Sequence, residues 1–293
     1  MANQLLTLNV IAREAIATLY EQTVMAGLVH RDYEGDFTGN SGDTITVRKP
    51  AVFQVNEFDR TKGIQIQDVK ESSVPVTIDR IPDVSFAVTS EDWSLRISDF
   101  REQFLQPAME AISQYTDRLV LSLRSDITQA VAYDPTAQHV SDVLIDAGKT
   151  LSDANVPTSM RRAVADTTLT ALFQKDPLFV QADKVGDDGT ALREASIGRK
   201  RGFDNYMTQN ITDGVSVAFR REAFALVTRT LPLPKGIGAG QGAIVNYKGL
   251  GLRVIYGYDM SKKQDIISID CLMGVKTLDP KRAVLIKQKT AES

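Results

Sequence analysis

Gly42-Asp43-Thr44-Ile45-Thr46-Val47-Arg48-Lys49-Pro50 sets β-branched Ile45 and Val47 on one side and Thr44, Thr46 and Arg48 on the other. That two-residue period is strand grammar. It returns at Ile64 and Ile66, at Val74, Val76 and Ile78, and at Val84, Phe86 and Val88. Between these arms lie Asn56, Glu57, Asp59, Arg60, Lys62 and Gly63, a polar stretch suited to a hairpin tip. Pro50, Pro75 and Pro82 mark the strands as edge or interrupted ones. A hairpin with arms of about 12–15 residues reaches roughly 40–50 Å at ~3.3 Å per residue. A compact chain of this length has a radius of gyration of only about 19 Å. An isolated two-stranded ribbon is marginal in water, so a projecting hairpin needs its apolar face and edges covered by another molecule. The alternative is a set of short strands folded back into an ordinary sheet.

Upstream, residues 8–27 carry Leu8, Ile11, Ala15 and Leu19 at three- and four-residue steps, with Thr7 as N-cap and Gly27 as stop. The spacing predicts an amphipathic helix, docked either on its own domain or, as a terminal arm, on a neighbouring subunit. Downstream, Ile97, Phe100, Phe104, Ala108, Ile112, Tyr115, Leu119, Leu123 and Ile127 predict a spine helix over 97–127, about 45 Å long. Pro107 is expected to kink or split it. Residues 134–234 are mixed. Helices are expected from Ser141 to Leu151, at Ala191–Ile197 and at Ala218–Val227, and a boundary falls at Leu231-Pro232-Leu233-Pro234. Strands return at Leu252–Tyr258, Ile266–Cys271 and Ala283–Ile286, with a polar turn at Asp259–Gln264.

The 293 residues suit about two domains. With 34 Lys and Arg against 37 Asp and Glu, the net charge of -3 excludes an overtly basic nucleic-acid binder and a disordered acidic chain. Cys271 is the single cysteine, and His30 and His139 are the only histidines, so no disulfide is possible and a zinc site is hard to build. No signal peptide precedes the first helix, and no apolar run approaches the ~18 residues of a membrane span. A soluble protein of a reducing cytoplasm is expected.

Catalytic signatures are missing. Gly238-Ala239-Gly240-Gln241-Gly242-Ala243 formally matches a dinucleotide fingerprint, but two prolines precede it and a strand pattern follows. The pyrophosphate needs a strand behind it and a helix N-terminus ahead. There is no Gly-x-x-x-x-Gly-Lys-Ser/Thr phosphate loop. Glu91 with Asp92, and Asp187 with Asp188, are adjacent and so diverge in direction. Two basic clusters stand out: Arg199, Lys200 and Arg201 between two glycines, and Lys281, Arg282, Lys287 and Lys289. Without interleaved aromatics they read as solvated surface or subunit salt bridges. No catalytic, cofactor or metal residues are assigned, and a structural protein is expected rather than an enzyme.

Val10-Ile11-Ala12-Arg13-Glu14-Ala15, Leu28-Val29-His30-Arg31-Asp32-Tyr33-Glu34 and the Gly42–Pro50 run resemble tailed-phage major capsid (coat) proteins. The nearest family is the one typified by the short-tailed Salmonella phages. Val156-Pro157 with Arg161-Arg162, and Ile197-Gly198-Arg199-Lys200-Arg201-Gly202-Phe203-Asp204, are similar to that family too. The resemblance implies an α+β fold of the tailed-phage/herpesvirus type. Its parts would be an N-terminal arm over 1–39, an extended β-hairpin loop over 40–88, a peripheral domain with the spine helix over 89–133 plus 250–293, and an axial domain over 134–249.

It further implies self-assembly into pentamers and hexamers of an icosahedral head enclosing double-stranded DNA, a virion location, and assembly in the bacterial host cytoplasm. The partners implied are further copies, a separate scaffolding protein, a portal, a decoration protein, and DNA touched weakly and without sequence preference; no membrane is involved. Interface candidates are Val55, Phe58, Arg60, Lys62, Ile64 and Ile66 on the hairpin, and Arg199, Lys200 and Arg201. The stretch 229–251 is too short to hold the extra inserted domain of the family's type member. An encapsulin-like cellular nanocompartment shell and an α/β enzyme are the other readings.

Overall fold

A computed structural model describes residues 24–32, 42–49, 55, 60, 72–88, 106–176, 198–234, 236, 241–247, 250–262 and 264–289. Strands β1 (Thr44–Lys49) and β2 (Ser72–Thr77) form an antiparallel ladder from Thr44 opposite Thr77 to Lys49 opposite Ser72. The alternation read from the sequence holds. Val47 and Val76 are buried, Ile45 and Val74 pack partly against them, and Thr46, Ser73 and Pro75 face solvent. Strand β3 (Asp83–Val88) leaves this ladder and joins a second sheet.

Helix α1 (Gln106–Ser122) is the described part of the spine, about 26 Å of it. Pro107 lies at the start of the described helix. Residues 97–105, and with them the expected kink, lie outside the described residues. The buried face differs from the apolar stripe read in the sequence. Tyr115 is exposed, whereas Ser113, Thr116 and Asp117 are buried beside Ile112, Val120 and Leu121. Hydropathy misplaces the face because it counts polar groups as solvent-facing. Here local bonds satisfy them, as when the Thr116 hydroxyl donates to the Ile112 carbonyl.

Six strands make the larger sheet: β4 (Ala130–Tyr133), β5 (Arg161–Ala165), β6 (Arg199–Lys200), β7 (Phe203–Met207), β8 (Ser216–Arg220) and β14 (Ala283–Gln288), ordered β4-β14-β8-β5-β7-β6. Helices α2 (Asp142–Asp153) and α3 (Thr167–Lys175) cover one face through Leu144, Leu151, Leu169 and Phe173, which meet Phe203, Ala218 and Val284. The arm exit and the end of the spine cover the other, where Met25, Leu28, Val120 and Leu121 meet Val217, Phe219 and Leu285. The helix expected over Ala218–Val227 is instead the end of β8, a 3-10 turn at Arg221–Ala223, and the start of β9 (Phe224–Arg229). Because both faces of β8 are covered, its apolar residues run without alternation. Such a run does not distinguish strand from helix.

The four-stranded sheet is antiparallel throughout, β10 (Gly242–Tyr247), β11 (Leu250–Asp259), β12 (Gln264–Asp270), then β3. One face buries Leu252, Val254, Ile267 and Ile269. Strand β13 (Leu272–Thr277) pairs with β9 to form the ribbon that receives the hairpin base. Sheet membership therefore cuts across the expected parts. Strand β3, counted with the hairpin loop over 40–88, belongs to the sheet of β10–β12. Strand β14, counted with 250–293, lies deep in the six-stranded sheet. All four of Ala283, Val284, Leu285 and Ile286 are buried, as a central strand with two covered faces requires.

Two arginines fix the joints. The chain leaves α2 through Asn155 in the left-handed region (φ 58), and Val156 donates to the Leu151 carbonyl, a Schellman-type ending. Buried Arg161 then donates to the carbonyls of Gly148, Val156 and Pro157 and to the Ser152 hydroxyl, binding the end of α2 to the segment that follows it. Arg253 grips Asp270 at 2.9 and 2.5 Å and donates to the Pro232 carbonyl at 2.6 Å, clamping the proline stretch onto the four-stranded sheet.

Gly274 of β13 runs under the exit of β2, where an added methyl would strike the Thr77 carbonyl oxygen and approach the Ile78 Cα to 3.0 Å. Gly274→Ala is expected to cost about 1–3 kcal/mol, because only backbone lies there to give way. Urea unfolding of the purified variant measures the loss.

Candidate assembly interface

The hairpin is attached at its base and nowhere else among the described residues. Val47, Val76 and Ile78 enter one apolar cluster with Ala225, Val227, Leu272 and Leu278. Backbone bonds close the seam: Ile78 N–H to the Asp43 carbonyl at 3.0 Å, and Arg80 and Met273 exchanging two bonds at 3.0 and 2.7 Å. Of the six hairpin residues expected at an interface, Val55 is 99% exposed and Arg60 is exposed. Phe58, Lys62, Ile64 and Ile66 lie outside the described residues. A fully exposed valine gains nothing in the lone chain; covering it would stabilise by about 1.5 kcal/mol or more.

The basic run Arg199, Lys200 and Arg201 forms one edge of the six-stranded sheet and the tip of a two-strand turn. Arg201 (φ 53) and Gly202 (φ 83) both occupy the left-handed region that a type I′ turn demands. Two of the three cations already have carboxylates. Arg199 lies 3.7 Å from Asp204 and Arg201 3.3 Å from Asp142, each pair largely exposed. The structure brings the run together but keeps it apart from the hairpin base, so the expected residues form two surfaces. In the C-terminal cluster Arg282 pairs with Asp279 and Glu222, while Lys281, Lys287 and Lys289 face solvent.

A third surface was not marked by the sequence. The four-stranded sheet turns Ile244, Ile255, Gly257 and Ile266 away from the body, with Ser85, Ala87 and Ser268 between them. A shallow cleft of about 290 Å³ opens there, bordered by Tyr258 and Asp259. Tyr258 and Met260, at the β11–β12 turn, are 57% and 83% exposed. Alternation along β11 carries this signal, but only the pairing register tells which face is covered.

Two described polar groups can be assigned structural roles. His139 Nδ1 lies 3.3 Å from Asp176 Oδ1, and Asp176 Oδ2 accepts the Ser141 N–H. The Ser141 hydroxyl, though buried, has no bond to the imidazole, so the trio is a cap at the start of α2 and not a nucleophile with its base. Burial pushes the Cys271 thiol up to about 12, which keeps it protonated and inert. Among the described residues no His, Cys, Asp or Glu group is placed to hold a metal, and no helix is long and apolar enough to cross a membrane.

This architecture is that of phage capsid proteins. Superposition on a protein of Mycobacterium phage Che8 covers 90% of each chain at a TM-score of 0.68 and 21% identity. The capsid structure of the cyanophage P-SCSP1u aligns over 92% of this chain and 89% of that one, at 0.63 and 13%. A virus-like particle protein of Pyrococcus furiosus aligns over 94% and 98%, at 0.54 and 13%. No family model and no curated protein sequence matches the chain. The α+β capsid-type fold expected from the sequence is the fold observed.

Arg162 ties the arm exit to this frame by donating to the carbonyls of Gly27 and Leu28. Beyond that point His30 bridges into β9, accepting from Leu226 and donating to Phe224. Arg162→Met leaves those carbonyls without donors. We expect a loss of about 1–3 kcal/mol and faster amide exchange at Leu226 than at Val164, read by hydrogen–deuterium exchange.

Proposed function

We propose that this chain is the major capsid protein of a tailed phage, a shell-forming subunit with no catalytic role. The observation that carries this is the superposition of some 90% of the chain on a phage capsid fold, together with a hairpin that among the described residues is anchored at its base and exposes Val55. Head-to-tail contact between unlike surfaces closes into rings, pentamers and hexamers in this fold. In that arrangement the six-stranded sheet, with most of residues 134–249, faces the ring centre as the axial domain. The spine and four-stranded sheet form the periphery, and residues 1–39 are the arm. The hairpin, with Val55, Phe58, Arg60, Lys62, Ile64 and Ile66, lies over the periphery of the next copy. Arg199, Lys200 and Arg201 meet a neighbour at the rim of the sheet.

Near-neutral charge suits a wall through which DNA is not gripped: the packaged genome touches it weakly and without sequence preference. A separate scaffolding protein, a portal and a decoration protein are the other partners, and the shell is built in the bacterial host cytoplasm before it becomes the virion head. Kinship with the short-tailed Salmonella phage coat proteins is the finer form of this proposal. A nanocompartment shell is the second reading, favoured by the fit to the Pyrococcus particle, though that fit is poorer at 0.54 against 0.68.

Electron microscopy of the purified full-length protein tests the proposal. Closed shells or capsomer rings are expected, and a persistent monomer with enzymatic turnover contradicts it. Deleting residues 55–66 is expected to leave a folded subunit that no longer forms shells. Assembly unchanged by the deletion removes the hairpin from the mechanism.

A further inference from the structure

Asp117 lies on the buried face of the spine helix, 2% exposed. Its Oδ1 accepts the Met25 N–H at 3.1 Å, and its Oδ2 accepts the Asn210 side-chain amide at 3.3 Å. The Val24 backbone also bonds to it. One carboxylate therefore ties together the spine, the arm exit and the loop that follows β7. No Lys, Arg or His among the described residues pairs with it. Residues 24–29 of the arm exit and 207–210 of the loop are all uncharged. On α1 itself Arg118 and Glu110 are exposed, and Glu110 is the other ionisable group at the adjoining cleft. That cleft, of about 430 Å³, runs between Glu110, Gln114, Met207 and Gln209 and reaches Asp117.

Three neutral donors satisfy the oxygens but do not replace the water that an ionised carboxylate loses on burial. Burial accordingly raises the Asp117 pKa above its ordinary 3.8, outweighing the bonds from Met25, Asn210 and Val24. The sign follows by linkage. The closed joint holds the proton more tightly than an open or unfolded one, so its stability rises as pH falls through the raised pKa. At neutral pH the ionised form opposes closure.

We propose that Asp117 is a release device: a buried, uncompensated carboxylate that keeps the joint between spine, arm exit and axial sheet short of its greatest stability, and that takes up water through the adjoining cleft when the joint opens. Its use in a shell that changes shape after assembly rests on the function proposed above, whereas the chemistry of the joint does not. A charge that costs folding energy is expected where movement is part of the job.

The test uses the full-length protein and Asp117→Asn, which keeps the shape and one acceptor oxygen but removes the charge. The variant is expected to melt about 2–4 °C higher at about pH 7.5, the gap narrowing as the pH is lowered and the wild-type carboxyl gains its proton. A variant that fails to fold, or is no more stable at any pH, overturns the proposal, since the carboxylate then serves as a net tie. In the wild type, amide exchange at Met25, corrected for intrinsic rate, is expected to report rarer opening as pH falls from about 7 to about 5. Unchanged or more frequent opening also overturns it. Particles imaged from the same preparations separate the two readings: a stability result as expected without shells retains the device and removes the capsid role.

Discussion

The described base of the hairpin is held by an apolar seam. Val47, Val76 and Ile78 press into the β9–β13 ribbon, and Gly274 is bare so that the β2 exit can lie directly on β13. Past Lys49 and Ser72 the described ladder stops, and Val55, just beyond, stands in solvent. Burial of apolar surface is the main force that holds a chain together, so an apolar side chain as exposed as Val55 is stabilised when another surface covers it. In the proposed shell, assembly would complete that cover, while the outer face of the ladder, with Thr44, Thr46 and Ser73, is polar and so discourages indiscriminate pairing.

The remainder of the molecule supports that seam. The six-stranded sheet is packed on both faces, by helices on one and by the arm exit and spine on the other. Arg162 and Asp117 connect this unit to the arm exit in opposite ways. The arginine adds donors to backbone carbonyls, and the aspartate contributes acceptors at the expense of a buried charge. One joint thus contains both a tie and an unpaired buried charge.

Much of this was legible in the sequence. Alternation over Gly42–Lys49 and Val74–Ile78 gave the ladder, because one face is buried and the other is wet. The spine declared itself by its three- and four-residue spacing, and its capsid-type context came from short motifs whose physical roles the structure supplies. Arg161 of the Val156-Pro157-Arg161-Arg162 group closes the end of α2, and Arg162 holds the arm exit. Other features were hidden for definite reasons. β8 and β14 are covered on both faces and so lose their alternation. Asp117 reads as a solvent-facing position, since the bonds that bury it come from residues far away in the chain. The outward face of the four-stranded sheet depends on which strands pair, and β3 reaches its partner β12 across most of the chain.

Hydrogen exchange over residues 44–77, compared between free subunit and assembled particle, tests the mutual completion of copies most directly. Amides beyond the anchored base should exchange rapidly in the free chain and become strongly protected in the particle. Equal protection in both states would mean that the ribbon is already covered by its own subunit, and that neighbouring copies contribute nothing to it.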